Sequence, residues 1–196
     1  TENSDFKAYR EVAGCYATMP VEVTSRIFQF VMDHTYNNPP DIVIRALSAL
    51  PRLIFSEQIA IDMVSKGYLN KLMEFINGEE NFKLRVAAAE MICHIIRCLD
   101  GQQIFSLIQN SFISNYLTAV EPIETDAGHE IIETFSYMDT KLKEASISSL
   151  VDTDIGNQVL SIVQIYENLP GDFFVNNYGF SLQDRAGEFF NQILNN

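Results

Sequence analysis

The chain has 196 residues, of which 47% are hydrophobic and 20% charged, a globular composition that excludes a disordered polypeptide. Its 13 Lys and Arg residues face 26 Asp and Glu residues, which gives a formal net charge of −13 at pH 7. Because this charge repels phosphate backbones and anionic lipids, we expect neither nucleic acid nor membrane as a partner. A basic protein or peptide is the better electrostatic match, although an acidic surface also serves solubility alone.

The cysteines and the N-terminus favour a reducing intracellular compartment. Cys15, Cys93 and Cys98 are an odd number, and two of them lie in an apolar segment where they resemble small buried side chains. No apolar run approaches the roughly 20 residues of a membrane-spanning helix. The N-terminal TENSDFKAYRE has no signal-peptide pattern, so we expect a cytoplasmic or nuclear protein.

Apolar residues recur every three or four positions along the first third of the chain, which predicts amphipathic helices. The first covers residues 5–17 and the second residues 21–35, ended by the Asn-Asn-Pro-Pro of residues 37–40. The third covers residues 42–55, with Asp41 as its N-cap and Pro51 as the site of a kink. Ser56 is the predicted N-cap of the fourth, which ends near residue 65 before Gly67.

The later elements are helical by the same criterion, and no segment reads as a strand. They are predicted at residues 68–76, 82–99, 102–109, 112–120, 126–138, 141–150, 154–168 and 181–194. The connections are short and contain Gly, Pro, Asn or Asp. The predicted fold class is therefore all-α.

The segment FKLRVAAAEMICHIIRCL, residues 82–99, is apolar almost all the way round a helix. Its polar exceptions Lys83, Glu90, His94 and Arg97 fall into one narrow stripe. Three consecutive alanines leave room for close neighbours. This pattern predicts a helix buried on most sides, with one polar line facing water.

Self-comparison reveals an internal repeat. Residues 42–54 align with residues 83–96 at a spacing near 40 residues, which places Arg45 on Arg85. Residues 63–76 align with residues 107–120, which places Tyr68 on Phe112. Each unit consists of a short helix, a turn, a second helix and a longer buried third helix.

The run MVSKGYLNKLMEFINGEENFKLRVAAAEMICHII resembles an armadillo repeat, and the resemblance covers about residues 42–138. The shorter helices that follow resemble two-helix HEAT repeats. The resemblance implies one right-handed α-solenoid over residues 1–196, with approximate units 5–55, 56–99, 101–139 and 140–168 and a C-terminal cap at 171–196. Its third helices would line a concave groove for extended peptides or partner helices.

Importin-α adaptors, the best-known peptide-binding armadillo proteins, present a Trp and, four residues later, an Asn from successive third helices. The corresponding positions here contain neither residue, which disfavours nuclear-signal binding of that type. Acidic residues occupy part of the Trp column and would favour Lys or Arg ligands, although a solvated helix face explains them equally. The residues predicted to line the groove are Arg52, Glu90, His94, Arg97, Glu130, Thr134 and Glu188.

Three segments resemble metal sites, but each lacks an essential ligand or the geometry to bind a metal ion. GHEIIE, residues 128–133, has a glutamate where a zinc-protease helix needs its second histidine. Cys93, His94 and Cys98 do not share a helix face. Residues 152–163 begin like a calcium loop but end in valine. We therefore predict no metal, no cofactor and no enzymatic activity.

The sequence thus predicts a non-enzymatic protein–protein interaction module that binds a protein or peptide in its groove. One alternative is a chaperone cofactor or cytoskeletal regulator that grips a folded domain with its ends or convex face. Another is a structural scaffold that self-associates through a C-terminal aromatic cluster, formed by Phe173, Phe174, Tyr178 and Phe180.

Overall fold

A computed structural model describes residues 20–35, 38–52, 56–78, 81–120, 124–147 and 155–158, and the structural statements that follow concern these ranges. Every regular element within them is helical, which confirms the all-α class. The predicted helices at 5–17 and 181–194, most of 154–168, Glu188 and the C-terminal aromatic cluster lie outside the described residues. The chain divides into two compact units, one ending at Leu99 and the other beginning at Asp100.

The first unit is built around its last helix. Its elements are α1 (Val21–Thr35), α2 (Pro40–Ala49), a 3₁₀ turn (Leu50–Arg52), α3 (Glu57–Ser65), α4 (Tyr68–Gly78) and α5 (Phe82–Ile96). Helix α5 packs against α2, α3 and α4, and α1 packs against α2 and α3. The interior is apolar, with Leu72, Ile92 and Ile95 completely buried.

Two predicted helix boundaries in this unit are confirmed. The Ser56 hydroxyl accepts a hydrogen bond from the Ile59 N–H at 3.4 Å and is the N-cap of α3. Gly67 follows α3 with a φ of +75°, a left-handed conformation that glycine adopts without strain.

The start and end of α2 differ from the prediction. Pro39 is the N-cap and Pro40 the first helical residue, so Asp41 lies in the first turn and caps nothing. The helix ends at Ala49 and is followed by the 3₁₀ turn that contains Pro51. Proline has no N–H to donate to the preceding turn, which explains why α2 ends earlier than the helix predicted over residues 42–55.

The second unit contains α6 (Gly101–Gln109), α7 (Phe112–Val120) and α8 (Glu124–Glu144), and residues 155–158 are also helical. Helix α6 packs against both α7 and α8. The predicted break between helices 126–138 and 141–150 is wrong, because α8 runs through it to Glu144. An ion pair between Asp139 and Lys143, 3.0 Å apart, spans that position.

The two units repeat one local design. Helices α3 and α6 each have nine residues, and they begin 44 residues apart at Glu57 and Gly101. A residue with positive φ separates each from the next helix, Gly67 in one unit and Ser111 in the other. Four buried positions of α4 also recur in α7 at the same spacing; they pair Tyr68 with Phe112, Leu69 with Ile113, Leu72 with Tyr116 and Ile76 with Val120.

Candidate functional site

The polar stripe of α5 is present as predicted. Lys83 and Glu90 are exposed, and His94 and Arg97 are half-buried. Most of the remaining side chains of this helix are buried, and Ala88, Ile92 and Cys93 have no exposed surface at all. The last helix of the first unit therefore presents one line of polar side chains. Arg85 is a further polar residue on another face of this helix, where its Nε donates to the Ile76 carbonyl oxygen at 2.9 Å.

Helix α8 carries the same burial pattern at a spacing of 43 residues. Five buried positions of α5, and Leu99 just after it, coincide with six buried positions of α8, so the two helices have a common register. The match is incomplete, because Ala87 and Cys93 are buried where their counterparts Glu130 and Ser136 are half-buried. The pairs are Ala88 with Ile131, Met91 with Thr134, Ile92 with Phe135, Ile95 with Met138, Ile96 with Asp139, and Leu99 with Leu142.

This register defines the polar stripe of α8 as Glu133, Tyr137 and Thr140, at the positions of Glu90, His94 and Arg97. Glu133 and Tyr137 are half-buried and Thr140 is exposed. Glu130, also half-buried, takes the position of the buried Ala87 and lies beside the stripe. The sequence comparison pairs Glu90 with Glu130 and His94 with Thr134, and it misses Glu133 and Tyr137.

Thr134 does not belong to an exposed surface. Its side chain is 0% exposed, and its hydroxyl donates a hydrogen bond to the Glu130 carbonyl oxygen at 2.6 Å. Because it occupies the position of the buried Met91, we exclude it from the candidate site. The buried positions of α8, which recur at helical spacing, were the signal that could have located the stripe.

The other residues predicted to line the groove lie in different parts of the chain. Arg52 ends the 3₁₀ turn, but its side chain lies outside the described residues, as does the whole of Glu188. Arg97 is the C-cap of α5, and its backbone N–H donates to the Cys93 carbonyl oxygen at 3.0 Å. Glu90, His94 and Arg97 share the stripe of α5, whereas Glu130 lies beside the stripe of α8, at the position of the buried Ala87.

The stripe of α8 has a cation close to its aromatic residue. The Lys141 ammonium lies 5.6 Å from the centroid of the Tyr137 ring, within the range of a cation–π interaction. The same ammonium is 2.6 Å from a Glu144 carboxylate oxygen. These contacts restrain Tyr137 and Lys141 at the C-terminal end of the stripe.

A second polar cluster joins α1 to α3 in the first unit. Ser25, which is 5% exposed, donates to the Asp62 carboxylate and accepts from the Lys66 ammonium at 3.1 Å. Lys66 is also 2.9 Å from Asp62. Because Lys66 and Asp62 pair with each other as well as with Ser25, the cluster links α1 to α3.

Burial around this cluster raises the pKa of Tyr68 to about 12, with the negative charges of Asp33 and Asp62 as further causes. Lys71 lies 3.1 Å from Asp33 and 5.1 Å from the centroid of the Tyr68 ring. The phenol therefore remains neutral at physiological pH and contributes a polar contact within the helix bundle.

Neither a metal-ligand cluster nor a membrane-spanning helix occurs among the described residues. Within the ranges given above, no three His, Cys, Asp or Glu side chains are placed to hold a metal ion. Burial raises the pKa of the Cys98 thiol despite the opposing charge of Arg97, so this cysteine is not an activated thiolate. No helix in the described part of the chain is long and apolar enough to cross a membrane.

No protein-family model, curated protein or solved structure matches the chain. Its function is therefore inferred from the geometry and chemistry of its surface.

Proposed function

We propose that the chain is an α-solenoid of armadillo-like units and that it acts as a non-enzymatic protein-interaction module. The observation that carries this proposal is the common register of α5 and α8, because the two helices bury most of the same positions and present polar stripes at the same positions. Helices α3 to α5 and α6 to α8 form equivalent units, as expected of stacked helical repeats.

A polypeptide is the ligand that a repeated surface suits best. Equivalent side chains on successive units can contact successive segments of an extended chain or a long helix, whereas a small molecule needs one enclosed site. The surface needs no chemistry beyond rigid display. Recognition would follow from charge and side-chain shape along the two stripes.

Charge favours a basic partner in the cytoplasm or nucleus. Glu90 and Glu133 supply carboxylates at equivalent positions of the two stripes, Glu130 lies beside the second stripe, and the whole chain has a net charge of −13. Lys83, His94 and Arg97 share the α5 stripe with Glu90, so the α8 stripe is the more acidic of the two. Lysine or arginine side chains of a partner would gain charge-assisted hydrogen bonds there.

Affinity capture from the source cell tests this function. The bait is the wild-type chain or the double variant Glu90→Lys, Glu133→Lys, and binding is compared at low and moderate salt. We expect a basic partner to bind the wild type in a salt-sensitive manner and to be lost from the double variant.

The matched control is the double variant Glu22→Lys, Glu57→Lys, which changes the net charge equally at two exposed sites outside the stripes. We expect it to retain the partner. If both variants retain every partner, the stripes are solvated helix faces. Contact through the ends or the convex face, as in the predicted alternatives, would then replace the proposal.

A further inference from the structure

A cleft of about 430 Å³ opens at one end of the first unit, where the first turns of α2 and α5 meet the last turn of α4. Val43, Phe75 and Leu84 form its apolar floor, and Asn38 and Glu74 add polar groups to the lining. Gly78 forms part of its wall without a side chain. This volume lies within the range of small binding pockets.

Two exposed apolar residues lie in helix turns that also supply lining residues of the cleft. Only four large hydrophobic residues are exposed among those the structure describes, and two of them are Ile42 and Phe82, at 49% and 44% exposure. Each lies in the first turn of one of the helices that open onto the cleft. An apolar floor with exposed apolar neighbours favours an apolar occupant.

The charges near the cleft decide between two sources of that occupant. Glu74 lines it and Asp41 is exposed in the adjoining turn of α2, while Lys83 is the exposed cation in the first turn of α5. A second copy of this chain would bring a net charge of −13 and be repelled. A segment with basic residues would be attracted.

We propose that this cleft receives one bulky apolar side chain, of about the size of leucine, from a polypeptide whose neighbouring residues are basic. The proposal rests on the protein-binding function, and it assigns a contact that does not involve the polar stripes. The apolar side chain displaces water from the floor, and the basic residues lie near Glu74 and Asp41.

Gly78 allows the cleft to be filled from within the protein. A Cβ atom added there meets no other atom within 4 Å, and the backbone is not in the left-handed region. Gly78→Leu therefore places an apolar side chain at the wall of the cleft. Asn77→Leu is the matched control, because Asn77 is exposed and is not part of the lining.

The test uses capped synthetic pentapeptides with a central leucine flanked by lysines, the same peptide with a central alanine, and the leucine peptide with glutamates in place of the lysines. Binding to the full chain is followed by methyl NMR of labelled valine and leucine. We expect the basic leucine peptide to shift Val43 and Leu84 and to bind about tenfold more tightly than either other peptide.

The variants separate this proposal from the function on which it rests. We expect Gly78→Leu to weaken binding of the basic leucine peptide about tenfold, and Asn77→Leu to leave it unchanged. Equal binding of the leucine and alanine peptides, or undiminished binding by a folded Gly78→Leu variant, overturns the proposal that the cleft binds an apolar side chain. If Gly78→Leu does not fold, Gly78→Ala must weaken binding by a smaller factor. A basic partner captured through the stripes would preserve the wider function even if the cleft binds nothing.

Discussion

Gly101 begins α6 where the last turn of α8 leaves no room for a side chain. A Cβ atom there would lie 2.7 Å from the Ala145 Cβ and would collide with the Lys141 carbonyl oxygen. Because the obstruction is backbone, it cannot rotate aside. We predict that Gly101→Ala lowers the free energy of unfolding by about 1–3 kcal/mol, as overpacking does elsewhere. Urea denaturation measures this change.

Gly78→Ala is the control for that substitution. Its added methyl group meets open space, so the change in unfolding free energy follows the usual helix preference for alanine over glycine, at most about 1 kcal/mol. We expect this variant to be as stable as the wild type or more stable. Equal effects of the two substitutions would contradict the close approach of α6 and α8.

The raised pKa of Tyr68 predicts a loss of stability in alkaline solution. Its pKa of about 12 in the folded protein exceeds the ordinary value of 10.0, so the folded state retains the phenolic proton over this interval while the unfolded state releases it. Stability therefore falls as pH rises from about 10 to 12. Tyr68→Phe should show a shallower fall in unfolding free energy over that range, and an identical slope would contradict the assignment.

Helix α6 depends on its first turn. The Asp100 side chain accepts from the Gln103 N–H, and the Gln103 side chain accepts from the Asp100 N–H, each at 2.8 Å. We predict that Asp100→Ala costs about 1 kcal/mol of unfolding free energy, whereas Asp100→Asn, which preserves the cap, costs much less. Urea denaturation distinguishes them, and equal losses would show that the negative charge matters more than the hydrogen bond.

Helices bounded by strong local signals were predictable from the sequence. The predicted bounds of α1 and α7 match the structure. Pro20 and the Asn-Asn-Pro-Pro segment delimit α1, and the turn at Ser111 precedes α7. The end of α8 was missed because no glycine or proline marks it, and the helix stops only where Ser146 adopts a φ of 57°.

The register of the candidate site was less predictable than its helices. A shift of three residues turns a helix by about 60° from its original face, so apolar residues still meet apolar residues in a misaligned comparison. Because of that ambiguity, the sequence comparison aligns His94 with Thr134 instead of Tyr137. Only the burial of each side chain in its own unit resolves the shift, because burial depends on packing against neighbouring helices.

At the scale of the whole molecule, the account requires α5 and α8 to contact the same partner. Photo-crosslinking tests this most directly, with p-benzoylphenylalanine at the position of Glu90 or Glu133, and at Glu22 or Asn115, which are exposed outside the stripes, as controls. The bait in each case is the full chain incubated with the captured basic partner. Mass spectrometry identifies the crosslinked residues of that partner.

The account predicts crosslinks from the positions of Glu90 and Glu133 to neighbouring segments of one partner, and none from the two controls. Crosslinks from the controls alone, or from Glu90 and Glu133 to unrelated proteins, would contradict a shared interaction surface on the third helices.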